Sequence, residues 1–415
     1  MSASKTDILV YAHWKGIHFP ERIGILTAQQ VKTRKAFSFT YDTAWMVSHK
    51  GLLLDPDIMP FAGAQFPVKK ENFGIFLDAM PDTWGRTLMK RRAAQEATEE
   101  GHKAIVLHDL DFLLRVQDIS RMGGLRFKLQ PDGTFLDDDP QPVPPWAIVR
   151  ELQRASGMIE SNKNTLEVRK WLAILLAPGS SLGGARPKAN ILDENGQLWI
   201  AKFPSANDSI DKGAWEFLTW RLAVSVGISM AECRLQKVAG KFHTFFTKRF
   251  DREKTERIHF ASAMTMTGKN EAFIKENVPS YLDIAEFIQF SCPQADEYLR
   301  QLWRRMIFNI AISNTDGHLR NHGFILKDNQ WHLSPAFDMN PSIDKSGLAL
   351  NIDMDNNALD YDLAKSVGKY FRLNEKEMYK IMNEVKTKVA GWKKIAKEIG
   401  ISRAEQELMG PAFRV

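Results

Sequence analysis

The stretch SNTDGHLRNHGFILKDNQWHLSPAFD at residues 313–338 decides the expected fold and chemistry of the chain. The preceding EYLRQLWRRMIFNIAIS has apolar residues at intervals of three and four, which predicts an amphipathic helix. NTDG then indicates a turn, in which Gly317 relieves the backbone. GFIL, KDNQ and WHLSP predict a strand, a turn and a returning strand. This hairpin would bring Asp338 back towards Asp316 and Asn321.

Two carboxylates and an amide would then lie close together. Carboxylates about 4 Å apart repel by roughly 4 kcal/mol at an effective dielectric of 20. A fold gains nothing from that arrangement without a cation or a shared proton. Oxygen ligands without a thiolate suit Mg²⁺ or Mn²⁺. Asp316 or Asn321 alone is better explained as a turn cap, but the three together favour a metal site.

The two histidines of this stretch suggest zinc as a first alternative, because His318 and His322 are four positions apart. Zinc hydrolases with this spacing carry both histidines on a helix, with a Glu directly after the first. Here Leu319 follows the first histidine and a predicted strand begins at Gly323. The sequence therefore argues against zinc. His318 is expected to support the loop by hydrogen bonding, and we also place it among the cofactor-binding residues.

Phosphoryl transfer is the second chemistry that this stretch could serve. Protein kinases place a catalytic Asp and a metal-binding Asn five positions apart, with a second metal-binding Asp further on. Asp316 and Asn321 have this spacing, and Asp338 follows the predicted hairpin. Asp316 would accept or orient the proton of the attacking hydroxyl, while Asn321 and Asp338 would hold the ion that neutralises the phosphates.

Upstream, the chain predicts a strand, a strand, a helix and two further strands. KANILDENGQLWIAKF has an Asn195-Gly196 turn between apolar runs, a strong hairpin signal. DKGAWEFLTWRLAVSVG reads as a helix, and CRLQKVAGKFHTFFTKRF as a second hairpin. Near the end, EKEMYKIMNEVKTKVAGWKKIAKEIG predicts one further amphipathic helix. At the other end, DILVYAHW and FSFTY indicate strands, and MPDTWGRTLMKRRAAQEA a helix that begins at an Asp82 cap.

A glycine-bearing loop, SSLGGARPK at residues 180–188, precedes the first of these hairpins. The backbone N–H groups of Gly183, Gly184 and Ala185 could bind phosphates, although a plain turn is the commoner meaning of two adjacent glycines. Lys202 ends a strand among apolar neighbours, where a lysine is costly unless it meets a charge. A nucleotide phosphate would supply that charge.

Two more residues are candidates for the nucleotide site. Glu216, on the helix after the first hairpin, would orient Lys202, although a surface position is the default for a glutamate. KRFD at residues 248–251 would be the linker between lobes, where adenine would dock against the backbone and against Phe250.

The composition is typical of a folded protein of more than one packed unit. The chain has 415 residues, of which 44% are apolar and 26% charged, and only two cysteines, which make no disulfide framework. The longest apolar run, WLAILLA, is too short to span a membrane, and the N-terminus lacks the layout of a signal peptide. We therefore expect a cytoplasmic protein without a membrane role. The net charge of +6 is a mild basic bias, and the clusters of basic residues are better explained as solvated helix faces than as a nucleic-acid surface.

The chain resembles the HipA family of bacterial serine/threonine kinase toxins. The matching stretches are SSLGGARPKAN, WIAKFP, WEFLTWRLA, KRFDR, NTDGHLRNHGFIL and LSPAFDMNPS, together with MPDTWGRTLMKRR and DISRMGGLRF nearer the N-terminus. The resemblance covers nearly the whole chain. It implies an α+β, two-lobed protein-kinase-like fold with an extra β-rich N-terminal subdomain and an all-helical C-terminal lobe. The implied divisions are residues 1–128 for the subdomain, 129–247 for the kinase N-lobe and 248–415 for the mainly helical C-lobe.

The resemblance also implies the roles of individual residues. Asp316 matches the catalytic Asp, Asn321 and Asp338 match the Mg²⁺ ligands, and Lys202 matches the lysine on the ATP phosphates. Ser181 matches the serine that family members autophosphorylate, with Ser180 as the second choice. In the family, phosphorylation of this serine expels the phosphate loop and switches the kinase off. The loop departs from the best-known member in Arg186 and Pro187, and Lys248 stands where that member has an acid.

The implied function is an ATP- and Mg²⁺-dependent protein serine/threonine kinase, the toxin of a type II toxin–antitoxin system. Its partner would be a small helix-turn-helix, HipB-like antitoxin that represses the operon, which brings the kinase to DNA indirectly. Its substrate would be a translation component, typically an aminoacyl-tRNA synthetase, and its effect dormancy. A small-molecule or lipid kinase, and a catalytically silent co-repressor scaffold, remain the alternatives. A scaffold, however, has no physical use for clustered acids.

Overall fold

The computed structural model describes residues 5–31, 34–138, 143–161, 172, 175 and 184–415. The chain forms two compact units. The first comprises residues 1–206, 251–261 and 326–329, and the second comprises residues 207–250, 262–325 and 330–415. The predicted division into three domains, at 128 and 247, stays a prediction.

A four-stranded antiparallel sheet begins the first unit. Its strands are β1 (Lys5–Ala12), β2 (Glu21–Val31), β3 (Arg34–Tyr41) and β4 (Leu125–Lys128), in the order β3-β2-β1-β4. The predicted strands DILVYAHW and FSFTY are thus confirmed. Aromatic and branched residues fill the core against this sheet, as their preference for pleated, half-buried surfaces implies; they include Ile8, Val10, Phe37, Phe39 and Phe127.

The first unit also contains helices, of which α3 matters most for the site. They include α1 (Thr43–Ser48), α2 (Gly74–Asp78), α3 (Thr83–Glu99), α4 (Asp109–Leu114) and α5 (Val149–Glu160). The Asp82 carboxylate accepts a 2.8 Å hydrogen bond from the backbone N–H of Gly85. This bond satisfies one of the N–H groups that every helix start leaves without an intrahelical partner. The predicted Asp82 cap is confirmed.

The KRFD motif ends in a fully buried carboxylate. Asp251 accepts hydrogen bonds from the backbone N–H of Gly123 at 2.8 Å and from the Arg252 guanidinium at 2.6 Å. Gly123 has φ +74°, and a Cβ there would lie 3.0 Å from the backbone nitrogen of Phe260. The glycine is therefore needed for both its conformation and its close approach. Two short strands follow, β9 (Arg252–Glu253) and β10 (Glu256–Arg257).

The hairpin after the glycine-bearing loop belongs to the first unit as well. Strands β5 (Lys188–Leu192) and β6 (Leu198–Lys202) are antiparallel. Asp193 accepts hydrogen bonds from the backbone N–H groups of Asn195 and Gln197, and Gly196 has φ +70°. The predicted turn is confirmed. Both faces of β6 are buried from Leu198 to Ala201.

The second unit opens with a helix and a hairpin, as predicted. Helix α6 (Lys212–Ser225) buries Trp215, Leu218 and Leu222. Strands β7 (Cys233–Gln236) and β8 (Thr244–Lys248) pair in antiparallel register. Gly227, at φ +74°, follows the helix end in the conformation that glycine adopts without strain.

The remainder of the second unit is rich in helices. They are α7 (Ala263–Met266), α8 (Glu271–Glu276), α9 (Tyr281–Ser291), α10 (Ala295–Ala311), α11 (Tyr361–Ser366), α12 (Glu375–Ala390), α13 (Trp392–Ile399) and α14 (Arg403–Met409). The single helix expected near the end is two helices, because the chain breaks at Gly391. Glycine is among the weakest helix formers.

Strands β11 (His259–Ser262), β12 (Gly323–Lys327) and β13 (Gln330–Leu333) complete the fold. The backbone N–H of Ser334 donates to the carbonyl of Gly323 at 2.9 Å, so the ends of β12 and β13 lie side by side. The hairpin predicted from GFIL and WHLSP is confirmed, and the expectation of an all-helical C-terminal lobe needs this correction. Within the described ranges, no helix is both long and apolar enough to cross a membrane.

Candidate active site

The turn that carries Asp316 begins where the buried helix α10 ends. Ser313 takes a left-handed backbone conformation, with φ +49°, which turns the chain out of the helix. Non-glycine residues are uncommon in this region of backbone space and often mark functional sites. The Asp316 side chain is 75% exposed, and its carboxylate lies 3.9 Å from the Lys345 ammonium. The turn therefore presents this carboxylate to solvent.

The buried side chain of Asn321 fixes the conformation of that turn. Its side chain is buried, and Nδ2 donates a hydrogen bond of 3.0 Å to the main-chain carbonyl of Asp316. The same carbonyl accepts from the backbone N–H of His318 at 2.8 Å, and the His318 carbonyl accepts from the N–H of Asn321 at 2.8 Å. The five-residue step from Asp316 to Asn321 is therefore closed by three hydrogen bonds. Because Asn321 donates through its nitrogen, its Oδ1 is the atom suited to a cation.

Asp338 lies beyond the β12–β13 hairpin, also in a left-handed conformation, with φ +56°. Asn340 donates to its carboxylate at 3.4 Å. The residues on either side of Asp338, Phe337 and Met339, line the same small cleft as Asn321 and Gly317. The hairpin thus returns the chain around Asp338 to the Asp316 turn. Two carboxylates and an amide oxygen make a donor set that suits a hard cation such as Mg²⁺.

A chain of buried polar side chains, which was not predicted from the sequence, supports the turn. Asn314 donates to the side-chain oxygen of Asn309 at 3.0 Å, and Asn309 donates to the Tyr281 hydroxyl at 2.8 Å. All three side chains are buried, and burial raises the pKa of Tyr281 to about 12. A polar residue on the apolar stripe of α10 was the signal available for Asn309.

Arg305 is a second buried polar residue on the same helix. Its guanidinium donates to the main-chain carbonyl of Ser334 at 2.7 Å, just after β13, and burial lowers its pKa to about 10. It lines the cleft beside Asn321. Helix α10 thus holds both the turn at its end and the segment that leads to Asp338.

The two histidines of the loop do not act as a pair. His322 is buried with its ring 5.6 Å from that of Tyr281, and burial, with Arg305 nearby, lowers its pKa to about 3. His318 is half-buried, and its ring Nδ1 has no hydrogen-bond partner among the described residues. The expected support by His318 comes from its main chain rather than its ring. Its predicted place at the cofactor stays a prediction.

Two of the candidate nucleotide residues belong to the second unit. Glu216 is buried on α6. Phe250 is half-buried, with its ring 5.5 Å from that of Phe337, the residue before Asp338. Phe250 therefore packs beside the segment that carries one proposed metal ligand. This position fits an apolar wall for a purine ring.

The remaining nucleotide candidates belong to the first unit. Lys202 ends β6, directly opposite Lys188 in the β5–β6 register. Gly184 has φ +109°, and both Gly184 and Ala185 are exposed. The predicted Gly183 and the predicted autophosphorylation positions Ser180 and Ser181 lie outside the described residues.

Comparison with known families gives a match over slightly more than half of the chain. Residues 180–392 match the family of the HipA-like C-terminal domain. This range contains Lys202, Asp316, Asn321 and Asp338. It does not contain the β1–β4 sheet or helix α3.

Two curated relatives are named as putative kinases. One is the putative kinase Y4mE of Sinorhizobium fredii (strain NBRC 101917 / NGR234), 22% identical over 65% of this chain. The other, from Haemophilus influenzae (strain ATCC 51907 / DSM 11121 / KW20 / Rd), is 28% identical over 39% of this chain. The chain spans 60% and 52% of the lengths of these relatives.

One solved structure is similar over nearly the whole chain. It is the complex of the Shewanella oneidensis MR-1 toxin–antitoxin system HipA, HipB and its operator DNA. The match has a TM-score of 0.66 at 16% identity and covers 98% of this chain and 94% of that one. This likeness shows the fold, and the α+β kinase-like architecture expected from the sequence is confirmed.

Proposed function

The chain belongs to the family of the HipA-like C-terminal domain, and on that premise we propose that it is an ATP- and Mg²⁺-dependent protein serine/threonine kinase. One observation carries the proposal. Asp316 is exposed on a turn that the Asn321 side chain closes by a hydrogen bond, and the chain on either side of Asp338 lines the same cleft as Asn321. Both curated relatives are named putative kinases, which supports the same chemistry.

In this proposal Asp316 is the catalytic residue. Its exposed carboxylate accepts the proton of the attacking serine or threonine hydroxyl. Asn321, through Oδ1, and the Asp338 carboxylate hold Mg²⁺. The bound ion would neutralise the charge on the transferred phosphoryl group. The closed turn keeps Asp316 and Asn321 in fixed relative positions, as transfer requires.

The nucleotide would be bound by the residues that the family motifs indicate. Lys202 is assigned to the ATP phosphates, with Glu216 to orient it, and the loop of Gly183, Gly184 and Ala185 donates backbone N–H groups. His318 stays assigned to the cofactor side of the catalytic loop. Phe250 is assigned to the adenine. Its packing against Phe337 supports this assignment, because a flat apolar wall suits a purine ring.

We propose further that the protein is the toxin of a type II toxin–antitoxin system. Its partner is a helix-turn-helix, HipB-like antitoxin, through which it approaches DNA, and its substrate is an aminoacyl-tRNA synthetase. The likeness to HipA in a complex with HipB and operator DNA supports the partner class. Autophosphorylation at Ser181, or else Ser180, would add about two negative charges to the phosphate loop and displace it.

The test is to incubate the purified chain with Mg²⁺ and ATP and to locate phosphate by mass spectrometry. We expect phosphate at Ser181 in the wild type and none in Asp316→Asn, because the amide cannot accept the proton. Asp344→Asn, a substitution of a nearby exposed acid, is the matched control and should label normally.

Three other outcomes would contradict the proposal or favour an alternative. If protein isolated without phosphate stays unlabelled in both the wild type and Asp316→Asn, the proposed kinase activity is refuted. Transfer to a small molecule or lipid, with no protein labelled, would favour the corresponding kinase class. Operator binding with the antitoxin but no transfer would favour the scaffold.

A further inference from the structure

A buried ion pair joins helix α3 to the end of the glycine-bearing loop. The Lys188 ammonium lies 2.8 Å from the Asp82 carboxylate, and the two side chains are only 2% and 1% exposed. Taking both charges out of water is costly, and a fold recovers that cost only with good geometry and further hydrogen bonds. Such a pair is better explained by a positional role than by stability.

Two hydrogen bonds from Trp84, the second residue of α3, reinforce this contact. The Trp84 indole N–H donates to the main-chain carbonyl of Lys188 at 3.0 Å, and its backbone N–H donates to the carbonyl of Gly184 at 3.3 Å. The second bond satisfies one of the N–H groups that the first turn of a helix leaves without an intrahelical partner. The loop therefore caps the helix, and the helix holds both Gly184 and Lys188.

The same loop end is also held on the side of Lys202. Lys188 and Lys202 are directly opposite in the β5–β6 register, and the backbone N–H of Phe203 donates to the carbonyl of Pro187 at 2.9 Å. Opposite residues of an antiparallel pair project from the same face of the sheet. Two lysines there destabilise the pair unless one charge is neutralised. Asp82 supplies that neutralisation.

We propose that Asp82 is a positioning residue for ATP, acting through Lys188. It fixes the end of the glycine-bearing loop beside Lys202 and neutralises the charge of Lys188. Helix α3, which lies outside the matched family region, is thus part of the nucleotide site. The inference rests on the proposed function, because it assigns Lys202 and the loop to ATP phosphates.

The test uses the full chain with three variants: Asp82→Asn, Lys188→Met and the double variant. Asn is also a good helix cap, so Asp82→Asn keeps the start of α3 and removes only the charge. The double variant leaves no unpaired buried charge, and replacing a buried pair as a whole is often neutral for stability. Glu96→Gln, which changes a half-buried acid on the same helix that pairs with Arg92, is the matched control.

Two measurements are made on each variant. Binding of Mg²⁺ with a non-hydrolysable ATP analogue is measured by calorimetry, and hydrogen exchange of residues 184–192 is measured without nucleotide. In all three variants we expect residues 184–192 to exchange hydrogen faster and the ATP analogue to bind about tenfold more weakly. This loss is smaller than the loss of activity that a 1 Å misplacement of a reacting group can cause. The double variant should match the single variants, because one interaction is removed in each. Glu96→Gln should behave as the wild type.

The outcomes separate the inference from the proposed function. If the double variant melts as the wild type does and shows unchanged exchange and affinity, the positioning role is wrong. If the single variants fail to fold, the double variant alone decides. If the wild type binds no nucleotide while exchange still rises in the variants, the proposed function fails and the contact between α3 and the loop stands.

Discussion

The side-chain nitrogen of Asn321 lies 3.0 Å from the main-chain carbonyl oxygen of Asp316 and donates a hydrogen bond to it. One amide thus has two separate uses, because its nitrogen closes the turn and its oxygen is left for a cation. The two uses can be separated experimentally.

Asn321→Asp keeps an oxygen ligand but removes the donor, and it sets a carboxylate against the Asp316 carbonyl. We expect the transfer rate at saturating Mg²⁺ and ATP to fall by roughly ten- to a hundredfold, as the loss of a buried hydrogen bond worth about 1–3 kcal/mol implies. The measurement is the initial rate of autophosphorylation across a Mg²⁺ titration. Asn329→Asp, in the exposed turn between β12 and β13, is the control and should have no effect. An equal loss in both variants would contradict the prediction.

Asp338 is predicted to bind the metal from a strained backbone conformation, since its φ is +56°. Asp338→Gly and Asp338→Ala should both lose transfer, because both remove the metal ligand. Gly should nevertheless be more stable than Ala by about 1 kcal/mol in urea unfolding, because only Gly adopts this conformation at little cost. Asp344 is an exposed acid that is not among the left-handed residues of the described part. There Ala should be the more stable of the two, and the same order at both positions would refute the argument.

The catalytic turn could be predicted from the sequence because its determinants are local. The step from Asp316 to Asn321 and the hairpin before Asp338 lie within 26 consecutive residues, and the Asn195-Gly196 turn within two. The contacts that fix these elements in place are not local. Asp82 and Lys188 are 106 positions apart and Ser313 and Arg414 are 101 apart, and no periodic pattern encodes such pairs. Asn309 was an intermediate case, since a polar residue on an apolar helix stripe indicates a buried partner without identifying it.

Arg414 is predicted to stabilise the start of the catalytic turn. Its Nε donates to the Ser313 hydroxyl at 3.1 Å, and its backbone N–H donates to the carbonyl of Ala311 at 2.8 Å. A double-mutant cycle of Ser313→Ala and Arg414→Met in urea unfolding should give a coupling energy of about 1 kcal/mol. The exposed pair of Arg403 and Glu407 on α14 is the matched control, and its cycle should give about 0.5 kcal/mol or less. Equal coupling in the two cycles would show that the Arg414 contact is an ordinary surface interaction.

His259 is predicted to make the first unit sensitive to acid. The imidazole is buried and stacked on Trp14 with ring centres 4.7 Å apart, and burial lowers its pKa from 6.5 to about 3. The unfolded chain therefore binds a proton below pH 6.5 that the folded chain refuses. The free energy of unfolding should therefore decrease by about 1.4 kcal/mol per pH unit as the pH falls from 6.5 towards 3. The measurement is urea unfolding from pH 7 to 4. In His259→Gln the free energy of unfolding should depend less steeply on pH, by the slope that corresponds to one proton.

Asp55, in the same unit, should change the stability with pH in the opposite direction, and it serves as the control. Burial raises its pKa from 3.8 to about 6, although it accepts hydrogen bonds from the backbone N–H groups of Asp57 and Ile75. Between pH 6 and 4 the folded chain therefore holds a proton that the unfolded chain has released, which favours folding as the pH falls. Asp55→Asn keeps an acceptor oxygen and removes the titration, so the acid loss should become steeper by about one proton over this interval. If both substitutions changed the slope in the same direction, the assignment of opposite signs to these two buried groups would be wrong.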